Sequence, residues 1–322
     1  MLTFRFGAED LLRTRFAISP LEELGRALRI VRSAEPPLAH AGWARHARRR
    51  VGDDLDLEAW STILVAGPYT PDFLAPPPRV QIPDVAAELE RVRSTPPRTV
   101  ARELGWCFPR GVPATVRPLI DDHPRALHAL VDTMGELWRR LLEPDWPRIR
   151  ALLESDIHHR AQALTAAGPL EVFGDIDRQV RWRDGALLVE RTYEQVVELA
   201  GRGLLLMPIA FLSDVGTLWD PPWQPAVLYR PRGVGTLWAP AAAQDGSALG
   251  DLIGARRARL LLALDTPSAT IELAARLGAS AAGVSEHLGV LSRAGLVDSR
   301  RAGRRVLYAR TALGDALLHE QR

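Results

Sequence analysis

The chain has 322 residues, of which 47% are hydrophobic, so its length and composition indicate a globular protein of about two domains. Its single cysteine, Cys107, excludes an internal disulfide, and no apolar run reaches the ~18 residues that span a membrane. All 41 basic residues are arginine, and the net charge is only +2. The first residues lack a secretory apolar core, so we expect a cytoplasmic protein without a membrane partner.

The first part of the chain is predicted to be mostly helical. Ser19, Pro20 and Glu22 form a capping box with proline at the first helical position, which predicts a helix from Pro20 to about Arg32. Proline-rich segments such as Pro76–Pro78 separate the helices that follow. Apolar periodicity predicts further helices at about 38–50, 56–65, 83–94, 97–104, 124–142 and 145–166.

Strand patterns follow these helices. Residues 179–190 alternate around Asp184-Gly185, which predicts a hairpin with a two-residue turn. Residues 203–209 and 226–229 are short apolar runs that predict further strands. The predicted fold class is therefore α+β, in which a mostly helical N-terminal region includes an antiparallel sheet.

A change in composition predicts where the domains meet. Residues 239–248 are small, polar and unpatterned, as in an interdomain linker, which predicts domains at 1–240 and 241–322. Charge differs between the two parts. Residues 249–322 carry 11 arginines against 7 acidic residues, so +4, whereas the rest carries 30 against 32, so −2. A positive C-terminal domain suits binding to a polyanion such as DNA.

The C-terminal domain is predicted to contain a helix-turn-helix. One helix is predicted at about 249–264 and a second at Thr270–Leu277, and Gly278 allows a tight turn after it. Ser280 is a good N-cap for the next helix, at about 281–294. Val284, Leu288 and Leu291 of this helix form one apolar stripe, which we expect to be buried.

A hairpin is predicted to follow the third helix. Gly295 ends that helix, and residues 296–301 and 304–310 alternate as two strands around Ala302-Gly303. Four arginines crowd the tip of the hairpin, where their repulsion would be relieved by phosphate. The order of helix, turn, helix and arginine-tipped hairpin is that of a winged helix-turn-helix, which places one helix in the major groove.

The polar face of the last helix is the predicted reader of DNA. Glu286 could accept a hydrogen bond from a cytosine amine, and Ala281 and Ala282 could contact a thymine methyl. His287 lies beside the apolar stripe, so we favour a half-buried structural role for it over contact with a base. The predicted DNA-binding residues are Ser280, Ala281, Ala282, Ser285, Glu286, His287, Arg293, Arg300, Arg301, Arg304 and Arg305.

Residues 249–318 resemble the winged-helix domain of ArsR/SmtB-type bacterial repressors. The matching residues are Leu273-Ala274, Val284 to Leu288, Leu291, Ala294 to Val297, and Arg301 to Arg305 through Tyr308. The resemblance implies a homodimer that binds operator DNA and a repression that a signal relieves. Glu286 departs from the neutral or basic residue that many relatives carry there.

The first 240 residues also resemble a known region, which is poorly characterised. It combines helices with a sheet and precedes such winged helices in some bacterial regulators. The likeness rests on Ser19–Glu22, Pro71–Leu74 and Gly201–Leu205. It implies a large N-terminal domain that dimerises, senses a ligand, or does both.

No metal site is predicted. Metal-sensing relatives place cysteines in the helix that corresponds to Thr270–Leu277, and this chain has none there. Other groups of His and Asp have weak ligand spacing, and we expect them on exposed helix surfaces: Asp315 with His319, Asp156 with His158 and His159, and His123 with His128.

All nine tryptophans precede the predicted linker, and four of them accompany the strand patterns. Pockets lined by aromatic rings and a few polar groups commonly bind organic molecules. One hypothesis is therefore a small organic effector, with Trp182, Trp219, Trp223 and Trp238 as its candidate contacts. The alternative, that these rings fill the core of an α+β domain, stays open.

The leading hypothesis is a DNA-binding transcriptional regulator that acts as a repressor. The sequence contains no nucleophile elbow, phosphate-binding loop or zinc-protease helix, so we expect neither an enzyme nor a bound cofactor. Two alternatives remain. One is an enzyme within residues 1–240 that the winged helix targets, and the other is a protein-interaction module whose winged helix binds no DNA.

Overall fold

The computed structural model describes residues 1–67, 69–167, 173–174, 176–238, 247–264, 268–302 and 305–319. The chain forms two compact units, Met1–Leu237 and Trp238–Arg322. Most of the predicted linker, 239–246, lies outside the described residues. In the part of the chain that is described, no helix is long and apolar enough to cross a membrane.

The helices of the first unit are those that the sequence predicts, with ends that shift by at most three residues. Two short helices, the first and the seventh, are additional. In chain order the helices are α1 (Asp10–Arg13), α2 (Pro20–Arg32), α3 (Leu38–Val51), α4 (Glu58–Val65), α5 (Val85–Arg93), α6 (Pro97–Cys107), α7 (Pro118–Asp121), α8 (His123–Leu141) and α9 (Trp146–Ala167).

The start of α2 shows why the local sequence is informative. The Ser19 Oγ accepts a hydrogen bond from the Glu22 backbone N–H at 3.3 Å, which satisfies one of the donors that a helix start leaves open. The next residue, Glu23, is fully buried, and its carboxyl accepts the N–H groups of Ala210 and Phe211 at 2.6 and 3.1 Å. Burial raises the pKa of Glu23 to about 8.

The strands of the first unit form two sheets. The strands are β1 (Leu2–Arg5), β2 (Arg15–Phe16), β3 (Val180–Arg183), β4 (Ala186–Val189), β5 (Gln195–Glu198), β6 (Leu205–Pro208), β7 (Gly216–Leu218) and β8 (Ala226–Tyr229). One sheet has the order β3-β4-β1-β5, and the other has the order β2-β6-β8-β7. The predicted hairpin is present, with Val180 opposite Val189 and Arg183 opposite Ala186.

The α+β class is confirmed, but the sheets are mixed rather than antiparallel. β1 lies antiparallel to β4 and parallel to β5, and β8 lies parallel to β6 and antiparallel to β7. Each parallel pair that involves β1 or β2 joins strands about 190 residues apart in the chain. A two- to four-residue strand carries no local signal for such a distant partner, so the hairpin is the only strand pairing that the sequence predicted.

The side chain of Asp156 links α9 to β8. Its Oδ2 accepts hydrogen bonds from Arg160 Nε at 3.0 Å and from the Tyr229 hydroxyl at 2.9 Å. Its Oδ1 accepts the backbone N–H of Arg232 at 3.0 Å. Asp156 and Arg160 are 3% and 2% exposed, so the prediction of an exposed Asp156 is wrong.

The predicted exposure of His123 is also wrong. It was expected on a helix surface, but its ring is buried at the start of α8, and neither ring nitrogen has a hydrogen-bond partner among the described residues. His128, His158 and His159 are exposed, as predicted. Within the described ranges, no group of three or more His, Cys, Asp or Glu is placed to hold a metal ion.

The second unit contains five helices and a small sheet among its described residues. They are α10 (Ser247–Ile253), α11 (Ala255–Ala263), β9 (Ser268–Ala269), α12 (Thr270–Leu277), α13 (Ala281–Arg293), β10 (Val297–Ala302), β11 (Arg305–Arg310) and α14 (Ala312–His319). The prediction of a single helix at 249–264 is wrong, because Gly254 interrupts the helix between α10 and α11. Gly254 adopts a φ of +90° there, which an L-residue with a side chain rarely adopts.

Candidate nucleic-acid interface

The turn between α12 and α13 follows from two residues. Gly278 has a φ of +61°, a left-handed conformation that glycine adopts without steric cost. Ala279 N–H then donates to the Ala274 carbonyl at 3.0 Å, which closes the turn. The Ser280 Oγ accepts the N–H of Gly283 at 3.2 Å, so Ser280 caps α13 as predicted.

The apolar stripe of α13 fixes the orientation of that helix. Val284, Leu288 and Leu291 are buried, and they share a core with Leu261 of α11 and Leu273 of α12. Because α-helical positions rotate by 100° each, burial of this stripe turns the opposite face of α13 outward. The buried stripe predicted from the sequence is therefore confirmed.

The outward face of α13 carries most of the predicted base-contacting residues. His287 lies between the two faces and is half-buried, as the sequence predicts. A helix with small side chains near its start can approach base edges closely in the major groove. The exposed predicted residues are Ser280, Ala281, Ala282, Ser285, Glu286 and Arg293.

The arginine-rich hairpin forms the wing of the second unit. β10 pairs antiparallel with β11 from Val297 opposite Arg310 to Ala302 opposite Arg305. Arg300 and Arg301 are exposed on β10. The predicted contact Arg304 lies outside the described residues, and for Arg305 only the backbone is described.

The wing has a third strand that the sequence did not predict. Ser268 and Ala269 form β9, which pairs with Tyr308 and Leu307 of β11. This pairing ties the wing to the segment that leads into α12. Because β9 is two residues long, its pattern is too short to predict a strand from the sequence alone.

A groove beside the turn adds two arginines that the sequence did not single out. It has a volume of about 370 Å³, and Gly278, Ser280 and His287 lie along it. Arg256 and Arg259 of α11 also line it, and both are exposed. Their spacing of three residues puts them on one face of α11, which is a signal that the sequence does contain.

Arg310 has a different role from the arginines at the wing tip. Its Nε pairs with Asp315 at 2.6 Å, and its Nη1 donates to the Leu261 carbonyl at 3.1 Å. These contacts hold β11 against α14 and α11. Arg310 is therefore a structural residue, and Asp315 of the weak metal pair is its partner.

The four candidate tryptophans lie in different surroundings. Trp182 stacks on Phe173 at 4.8 Å between ring centroids and meets Phe6 edge-on, so it packs, partly buried, against the core of the first unit. Trp219 packs against the same core and contacts Tyr193.

The other two tryptophans are placed differently again. Trp223 lines a groove of the first unit together with Pro222 and Arg79. Trp238 belongs to the second unit. Trp223 also packs against a core cluster of the first unit, so among the three candidate tryptophans of this unit it combines core packing with a place along a groove.

Comparison with known proteins supports the C-terminal assignment. A family model described as a helix-turn-helix domain matches residues 256–300. The match extends from α11 through α12 and α13 into β10. Comparison with curated proteins and with solved structures gave no match. The second unit therefore carries a helix-turn-helix domain, the type of domain with which many regulators bind DNA.

Proposed function

We propose that the protein is a transcriptional repressor that binds double-stranded operator DNA through its second unit. The observation that supports this proposal is that one helix-turn-helix domain presents two exposed surfaces suited to DNA. One is the exposed, small-residue face of α13, and the other is the exposed pair Arg300 and Arg301 on the wing. The first suits base edges, and the second suits phosphates.

The proposal extends to the type of repressor. The likeness of residues 249–318 to ArsR/SmtB-type repressors supports a homodimer, whose two α13 helices would enter successive major grooves about 34 Å apart. Residues 1–240 would dimerise, bind an effector, or do both. An organic effector would relieve repression by binding one arrangement of the dimer more tightly than another. We further propose a cytoplasmic location and no catalytic activity.

The proposal is tested by fluorescence anisotropy of the full chain on DNA from its own promoter. Scrambled DNA of the same length is the comparison, and both are titrated at two salt concentrations. We expect tight, sequence-dependent binding that weakens with salt. Absence of binding to the promoter and to a random DNA library would overturn the proposal and favour a protein-interaction module.

Replacement of Glu286 should change which operator is preferred. Glu286 is exposed in the first half of α13. If its carboxylate accepts a hydrogen bond from a cytosine amine, Glu286→Ala should cost about 1–3 kcal/mol at one base position and little elsewhere. Binding to a library with every single-base change would identify that position.

Ser292→Ala is the matched control for Glu286→Ala. Ser292 is also exposed on α13, but it lies near the C-terminal end of the helix and is not one of the predicted DNA-binding residues. We expect this variant to keep the wild-type preference at every position. Unchanged preferences in Glu286→Ala would place the base-reading face elsewhere on the helix.

Replacement of Arg256 and Arg259 should reduce binding to all sequences alike. Both side chains line the groove at the start of α13, where a phosphate of the bound strand would pass. If each contacts one phosphate, Arg256→Gln with Arg259→Gln should lower the salt slope by about 2. Arg183→Gln, an exposed arginine of the first unit, should leave the slope unchanged.

A further inference from the structure

We propose that the first unit binds a flat organic anion in a groove between α5, α6 and two proline-containing loops. The groove has a volume of about 560 Å³, within the range of roughly 300–1,000 Å³ that small-molecule sites occupy. Its apolar lining is mostly rigid rings, which lose little conformational entropy when a ligand is bound. They are Pro76, Pro96, Pro222 and Trp223.

One wall of the groove, the loop Pro76–Pro78, is held in place by Arg91. The guanidinium of Arg91 donates to the carbonyls of Pro76 and Pro77 at 3.5 and 2.9 Å. The same guanidinium forms an ion pair at 2.7 Å with Glu88, whose side chain is almost fully buried. The loop is thereby attached to α5, and the charge of Arg91 is neutralised within the protein.

The opposite wall, around Trp223, is held by two further contacts. Arg15 donates to the Pro78 carbonyl at 2.6 Å and to Gln224 Oε1 at 3.0 Å, so one guanidinium joins both walls. The Trp223 Nε1–H donates to Oε1 of Glu103, a buried carboxyl, at 3.3 Å. The indole is therefore fixed before any ligand arrives, which is the preorganisation that favours binding.

The charged residues around the groove indicate which charge the ligand should carry. Arg79, Arg91 and Glu90 are the charged residues that line it. Arg91 is paired with Glu88 as described. Glu90 lies 3.4 Å from Arg93, which also pairs with Asp132 at 2.6 Å. Arg79 is exposed, and it has no ion pair or hydrogen bond among the described residues. A carboxylate at the rim near Arg79 would pair with this guanidinium.

The ligand class follows from these features. A fused or single aromatic ring would lie against Trp223 and the proline rings, because flat apolar surfaces pack well together. Its carboxylate would pair with Arg79, and the hydroxyls of Ser94 and Thr99 lie along the same groove. The statement that this molecule is the effector rests on the proposed function, whereas the statement that it binds in the groove does not.

The test is isothermal titration of the full chain, without DNA, using 2-naphthoate and the neutral 2-naphthylmethanol. We expect one saturable site per chain and a preference for the anion of about fivefold, which one partly exposed charge pair can supply. Arg79→Gln should remove this preference while the alcohol binds as before. Thr99→Trp should fill the groove and abolish binding of both probes.

Arg98→Gln is the control for Arg79→Gln, because Arg98 is exposed next to the groove but does not line it. It should keep the preference for naphthoate. Melting temperatures establish that each variant is folded. The inference is overturned if neither probe binds, if Arg79→Gln keeps the preference, or if folded Thr99→Trp binds as well as the wild type. None of these results depends on whether the second unit binds DNA.

Discussion

Replacement of the wing arginines should greatly weaken DNA binding without changing sequence preference. Arg300 and Arg301 are exposed on β10, Arg305 begins β11, and Arg304 precedes it in the sequence. Each phosphate contact contributes about 0.9 to the slope of log affinity against log salt, so alanine at all four positions should lower the slope by about 4. At 0.1 M salt the affinity should fall on the order of a thousandfold.

The measurement is the same anisotropy titration at several salt concentrations. Arg300→Ala with Arg301→Ala alone should lower the slope by about 2, and Arg183→Ala should leave it unchanged. A protein-interaction module that uses apolar surface would still bind its partner after the fourfold replacement. If the slope of the fourfold variant equals that of the wild type, the wing does not contact phosphate.

Replacement of Asp156 should strongly destabilise the first unit. Asp156→Ala removes the carboxylate that accepts hydrogen bonds from Arg160, Tyr229 and the backbone of Arg232. Removal of one partner of a buried ion pair costs about 3–5 kcal/mol, since the remaining charge stays in a poorly solvated position. Urea unfolding followed by tryptophan fluorescence would measure this loss, because nearly all tryptophans lie in the first unit.

Two variants of the same helix sharpen this measurement. Glu154→Ala breaks the ion pair with Arg150 at 2.8 Å, in which both side chains are over 40% exposed, and should cost about 0.5 kcal/mol or less. Asp156→Asn keeps the shape and one acceptor, so its loss should be intermediate. If Asp156→Ala costs no more than Glu154→Ala, the network does not link α9 to β8 in the way described.

Local signals in the sequence predicted the helices and the helix-turn-helix. The cap at Ser19, the cap at Ser280 and the buried stripe Val284, Leu288 and Leu291 depend on residues within one or two turns. Such features are fixed by backbone geometry and by periodicity, which neighbouring residues already contain. The exposed face of α13 followed from the buried stripe, so most of the candidate interface was predicted as well.

The features that only the tertiary structure determined depend on residues that are far apart in the chain. The sequence alone predicts Asp156 as a surface residue of α9. In the structure it is buried by contacts with Tyr229 and Arg232, which lie 73 and 76 residues away in the chain. In the same way, the sequence does not distinguish Trp182 from Trp223. Both pack against a core, but only Trp223 of the two also lines the groove beside α5 and α6. Burial of a charge or an indole is set by distant partners, and a single sequence does not state which partners meet.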